Sequence, residues 1–99
     1  MSSHMRDARY NALQYDLMKE RAAGLGHAGR QVQEALLALQ SAADEAARQK
    51  LIWAASKCVW RYFVQREACG MRDHDPVIAE YGIPQQVLAR VGAREPEPA

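Results

Sequence analysis

Between Leu51 and Gly70 the chain reads LIWAASKCVWRYFVQREACG, and its apolar positions recur at helical spacing around an unusually wide arc. At 100° per residue, Val64, Trp53 and Trp60 share one direction. Phe63, Ile52 and Val59 flank them, then Ala55, Tyr62, Leu51, Cys69 and Cys58. The arc covers roughly 240°, against the ~100° stripe of an ordinary surface helix. Only Lys50, Lys57, Arg61 and Gln65 hold a clearly polar face. Such a helix must be covered from at least two directions, by its own chain or by another subunit. The pattern predicts a central helix from about Asp44 to Cys69, closed by Gly70 just past its C-cap.

Two weaker patterns precede it. Tyr10, Leu13, Leu17 and Ala22 keep helical spacing with Met18 beside them, and Asp7 is a competent N-cap, so a first helix is expected from Asp7 to about Ala23. The run GLGHAG then places Gly24, Gly26 and Gly29 within one short stretch, which predicts a helix-to-helix turn. Its spacing matches no phosphate-cradling loop, and His27 within it is expected to be solvated. A second helix from about Ala28–Arg30 carries Val32, Ala35, Leu36, Leu39, Ala42 and Ala43 on one narrow face. No Gly or Pro separates it from the central helix, but the Ile52, Ala55, Val59, Tyr62 stripe lies roughly 160° from the Val32 direction. A break near Ala42–Asp44 is therefore expected, with Ser41 and Asp44 as available N-caps.

Beyond Gly70, Asp75-Pro76 reads as a helix start with Asp75 as N-cap, and Gly82 ends that short helix after Tyr81. Ile83 is expected to pack inward. Pro84 opens a last short helix from Gln85 to Val91, stopped by Gly92. The expectation is an all-α protein: a small helical bundle of three main helices with two short C-terminal helices over the end of the central one.

A chain of 99 residues makes one domain. Residues 7–93 are assigned to it, residues 1–6 to a disordered or cloning-derived end, and residues 94–99 to a disordered tail. Thirteen Lys and Arg against twelve Asp and Glu give a net charge of +1. With no block of one sign, there is no bulk electrostatic footprint for nucleic acid or a membrane. No apolar run approaches the ~20 residues of a membrane span, and a cytoplasmic location is expected. Cys58 and Cys69 fall on one helix about 16 Å apart at 1.5 Å per residue, too far to form a disulfide, and read as free thiols.

Charges inside the wide apolar arc need partners. Arg48, Arg66 and Glu67 lie there, and the acids of the first helix are their expected source; Arg66 and Glu67 are the residues assigned to buried polar pairing or ligand contact. Cys69, Asp73, His74 and Asp75 form the one cluster of ligand-type side chains, but its spacing is not that of a zinc site, and a capped turn is the expected reading. A Cys69–His74 nucleophile pair lacks an orienting third group. Pro76–Gly92 has the size of a helix-turn-helix unit, yet Gln85, Gln86 and Arg90 stand among too few bases to read DNA. No catalytic residue, metal ligand or cofactor site is assigned, and the chain is not expected to be an enzyme.

Two runs, FVQREACGMRD over residues 63–73 and YGIPQQVLARVG over residues 81–92, resemble a family of small uncharacterised proteobacterial proteins, a domain of unknown function. The resemblance implies a recurring fold and no activity. From the residues themselves, the leading expectation is a structural or protein-interaction module that forms a homodimer or other homo-oligomer through Trp53, Trp60 and Val64. The alternative is a small-molecule or regulatory binding module with a pocket between the central helix and the short C-terminal helices, contacted by Arg66 and Glu67.

Overall fold

The computed structural model describes the backbone of residues 2–97 and the side chains from Asp7 onward; Met1, part of the expected frayed end, and Pro98 and Ala99 of the expected tail lie outside the described residues. Four helices follow one another: α1 (Ser2–Gln40), α2 (Glu45–Ala68), α3 (Asp75–Tyr81) and α4 (Gln85–Leu88). No strand occurs among the described residues. The protein is all-α, as its apolar spacing requires.

The first and second expected helices are one. α1 runs 39 residues straight through the glycine-rich stretch. A glycine breaks a helix when the chain needs positive φ, and that conformation occurs only at Gly70, Gly82 and Gly92 among the described residues. Gly29 serves close approach instead. A Cβ there would stand 3.0 Å from the Tyr81 hydroxyl and 3.5 Å from the Tyr62 ring, so the bare backbone lets two tyrosines lie against α1. Each helical glycine costs about 0.5–1 kcal/mol relative to alanine; packing on the other helices offsets that cost at Gly29.

The break between α1 and α2 falls where the phase change places it. Ser41 and Ala42 close α1 with tight bonds to the carbonyls of Ala38 and Leu39. Asp44 then stands extended at φ −150°, and its Oδ1 accepts the Ala47 N–H at 2.8 Å. α2 therefore starts with a side-chain cap and an acidic Glu45 in its first turn, both favourable to the N-terminal dipole. At the other end Met71 N–H reaches the Arg66 carbonyl and Gly70 N–H that of Glu67, the double bond of a Schellman motif, with Gly70 at φ 85°.

α2 lies antiparallel on the C-terminal half of α1. Gly29, Val32, Leu36 and Leu39 face inward from α1, and Ile52, Ala55, Val59 and Tyr62 from α2. Both series are spaced by alternating threes and fours, the signature of a coiled-coil seam. Val77, Ile83 and Val87 from the α3–α4 cap complete the core. Ile83 is buried as its position predicts, held by its N–H on the Ile78 carbonyl. α3 begins one residue earlier than its capping pattern suggests: Asp75 is its first residue, not its N-cap, and Asp73 Oδ1 accepts the Asp75 N–H. α4 stops at Leu88 rather than Val91, with tighter turns carrying the chain to Gly92.

Among the described residues, no other element packs along the N-terminal half of α1. The molecule measures 68 × 29 × 20 Å with a radius of gyration of 18.2 Å, where a compact chain of this length would have about 13 Å. α2 ends beside Gly24, its Gln65 side chain 3.7 Å from where a Cβ would stand. The helix N-terminal to that point projects as an arm.

Candidate functional site

Three places on the surface have the ingredients of a site, and α2 organises two of them. On one flank the Trp stripe is only partly covered. Trp53 is half-buried beneath Arg90, whose guanidinium stands 5.5 Å from its ring centroid. Trp60 and Val64 remain 49% and 44% exposed. Gly92 passes Trp60 closely, a Cβ on it falling 3.7 Å from the indole. A cavity of about 380 Å³ opens there, lined by Ser56, Lys57, Trp60, Arg61, Arg90 and the Gly92–Ala93 backbone. Lys57 Nζ pairs with Glu95 at 2.6 Å across its rim. Arg90 is committed to the fold, donating to the Gln86 carbonyl at 2.8 Å. Gln86 in turn accepts from Arg48 at 2.7 Å, so these cap side chains tie α4 to α2.

At the C-terminal end of α2, Arg66 and Glu67 come together on His74. Arg66 is buried; its Nε donates to His74 Nδ1 at 3.2 Å and its Nη2 to the Asp73 carbonyl at 2.8 Å. With Nδ1 accepting, the ring carries its proton on Nε2, which faces Glu67 Oε1 at 3.0 Å. Phe63 stacks on the imidazole with centroids 4.1 Å apart and planes 1° from parallel. The acids of the first helix do not supply these partners. Asp16 and Glu20 are exposed on the projecting arm, beyond the end of α2, and the turn after Gly70 supplies His74 and Asp73 instead. Both imidazole nitrogens of His74 are engaged, which leaves neither lone pair to activate the Cys69 thiol or to ligate a metal. The cluster works as a clamp that fastens α3 to α2.

Tyr81 belongs to the same end of the molecule. Its ring meets that of Tyr62 edge-on at 5.7 Å. The neighbouring Tyr62 phenol as hydrogen-bond partner, then burial, then the Glu80 charge hold the Tyr81 hydroxyl above the usual tyrosine range, against a smaller opposing pull from Arg66.

The third place is the arm. Tyr10, Leu13, Tyr15 and Met18 are 56–64% exposed on it, and Lys19 lies over the Tyr15 ring at 5.7 Å. The apolar spacing of Tyr10, Leu13 and Leu17 marks this segment as a helix needing cover. Because α1 runs on through Gly24–Gly29 without the expected turn, no element among the described residues folds back to cover it.

The three residues assigned to an interface therefore sit on one flank of α2, two of them open and one roofed by Arg90. Arg66 and Glu67 meet at His74, away from the cavity beside Trp60. The sequence places Lys57 and Arg61 on the polar face of α2 and Gly92 at a helix end, and assigns none of them to a site, because only the fold of the 89–93 turn brings Gly92 and Ala93 beside the indole. No curated protein and no solved structure matches the chain. A family of unknown function, DUF6665, matches it over residues 2–98. That span takes in the arm, the helical pair and the cap alike, and the chain belongs to this family.

Proposed function

We propose that the protein is a non-enzymatic helical interaction module that self-associates. The observation that carries the reading is the arm: four large apolar side chains, each more than half exposed, on half of a helix that no other element among the described residues covers. Large apolar side chains left open in such number mark a contact site, and of the four Tyr15 and Met18 share one side of the helix. The open Trp60–Val64 edge of α2 adds a second contact surface on the body. His74 supports the reading from the other side, since its ring nitrogens serve the fold rather than chemistry.

Light scattering on the full chain over a dilution series tests it. The expected result is a mass of twice 11.1 kDa or a higher multiple that gives way to monomer only at low concentration. A monomer at every concentration would refute self-association.

A second reading rests on the cavity beside Trp60. Its size is within the range of small-molecule pockets, and Arg61 and Lys57 at an indole suit a planar anion. Quenching of Trp60 fluorescence by such a compound in the wild type, absent in Arg61→Ala, would favour it.

A further inference from the structure

We infer that the projecting half of α1 pairs antiparallel with the same segment of a second copy of this chain, continuing outside the body the seam that α1 and α2 form inside it; this rests on the self-association reading and names its surface. The buried positions Gly29, Val32, Leu36 and Leu39 extend backwards without a phase error. Stepping by alternating threes and fours from Gly29 gives Leu25, Ala22, Met18, Tyr15, Asn11 and Ala8. One stripe therefore runs the length of α1, winding slowly around it by about 20° per heptad as a coiled-coil seam does. Its C-terminal part is covered by α2, and its N-terminal part, with Tyr15 and Met18 at 64% exposure, is not.

α2 defines what fits the open part. It lies antiparallel to α1 in the groove beside the stripe and leaves it next to Gly24. A second helix entering the same groove end-on to α2 and in the same direction extends the packing already present. The arm of a second copy, turned antiparallel, is such a helix, and each arm fills the other's groove under a two-fold axis. A parallel pair would drive each α1 into the α2 of its partner. The antiparallel register that stops each N-terminus at the end of the other α2 sets Tyr15 opposite the partner's Asn11 and Met18 opposite the partner's Ala8. Large residues then face small ones, and Asp7 lies beside the partner's Arg21.

Charge and length agree with this occupant. Residues 2–23 carry four bases and three acids, interspersed, so two arms do not repel, and the polar face lacks the excess of Lys and Arg that a membrane surface or nucleic acid would select. In proteins a helix draws most of its stability from a packed face rather than from propensity. Pairing supplies that face to both arms at once.

The test compares the wild type with Tyr15→Asp/Met18→Asp and, should two new charges perturb folding, with Tyr15→Ala/Met18→Ala. Both positions are exposed in the single chain, so the body should melt unchanged in either. Light scattering is expected to find a wild-type dimer, monomer in the aspartate variant, and a dissociation constant at least tenfold weaker in the alanine variant. Orientation is read from a spin label at Ala23→Cys in a Cys58→Ser/Cys69→Ser background. The antiparallel register sets the labels about 30 Å apart along the axis at 1.5 Å per residue, whereas a parallel pair leaves them level, within about 10–20 Å.

A dimer that survives both arm variants would overturn the inference while leaving self-association intact, and its loss in Trp60→Ala/Val64→Ala would then place the contact on α2. A short label distance would overturn the antiparallel arrangement. A wild-type monomer with a radius of gyration near about 13 Å would mean that the arm folds back at Gly24–Gly29, and would remove both proposals together.

Discussion

Tyr81 holds its hydroxyl 3.0 Å from the point where a Cβ on Gly29 would stand, while a Cβ on Gly26, one turn earlier, would meet only the end of the Arg30 side chain at 3.4 Å. The two glycines therefore answer differently to the same substitution. Gly26→Ala should stabilise the protein by about 0.5–1 kcal/mol, the helix-propensity gain. Gly29→Ala should gain less or lose, because the gain is spent on moving Tyr81 and pressing on Tyr62. Denaturant unfolding of both variants measures the difference. A loss above about 1 kcal/mol for Gly26→Ala would indicate a left-handed turn there and contradict a continuous α1.

The start of α2 depends on one side chain. Asp44→Ala removes the acceptor of the Ala47 N–H and should cost about 1 kcal/mol, with Asp44→Asn close to neutral. Thermal melts of the pair decide it. Equal losses in both variants would mean that the acidic charge near the helix dipole, rather than the cap, is what matters.

Most of the body is legible in the sequence, and apart from the ends of α3 and α4 the differences share one origin. Asp44, Gly70, Gly82 and Pro76 announce element ends because each meets a backbone requirement that few residues meet, and the Ile52–Tyr62 stripe announces the buried face of α2. Glycine is ambiguous. In GLGHAG it answers to Tyr62 and Tyr81, residues more than thirty positions away, and no local pattern separates a glycine needed for close approach from one needed for a turn. The partners of Arg66 and Glu67 were misplaced for the same reason: a turned chain would bring Asp16 and Glu20 back to α2, and a straight α1 carries them away.

Removing His74 should be felt at the cap. In His74→Ala, Arg66 loses the acceptor of its Nε–H while staying buried, and Phe63 loses the ring stacked on it. An unmet buried donor costs about 1–3 kcal/mol. Hydrogen exchange should quicken in α3 more than in the middle of α2. Arg66→Leu/His74→Leu, which removes both partners, should recover part of that stability, and no recovery would mean that the clamp acts through packing alone.

Stability should fall at alkaline pH through Tyr81. Its hydroxyl titrates above the unfolded value of 10.0, so below pH about 10 both states keep the proton and its contribution is fully present. Between that value and the raised folded one the unfolded chain ionises first, and stability declines as pH rises. Tyr81→Phe should flatten this decline in unfolding curves taken from pH 9 upward; an unchanged slope would assign it to other groups.

In the proposed pairing the arm is helical because a second copy covers it. Hydrogen exchange of the amides of residues 8–22, followed from high to low protein concentration, measures this directly. Protection approaching that of α2 is expected when the chain is concentrated, and its loss on dilution, while the body keeps its own protection throughout. Arm amides that exchange at unfolded rates at every concentration, or stay protected in a dilute monomer, would contradict it.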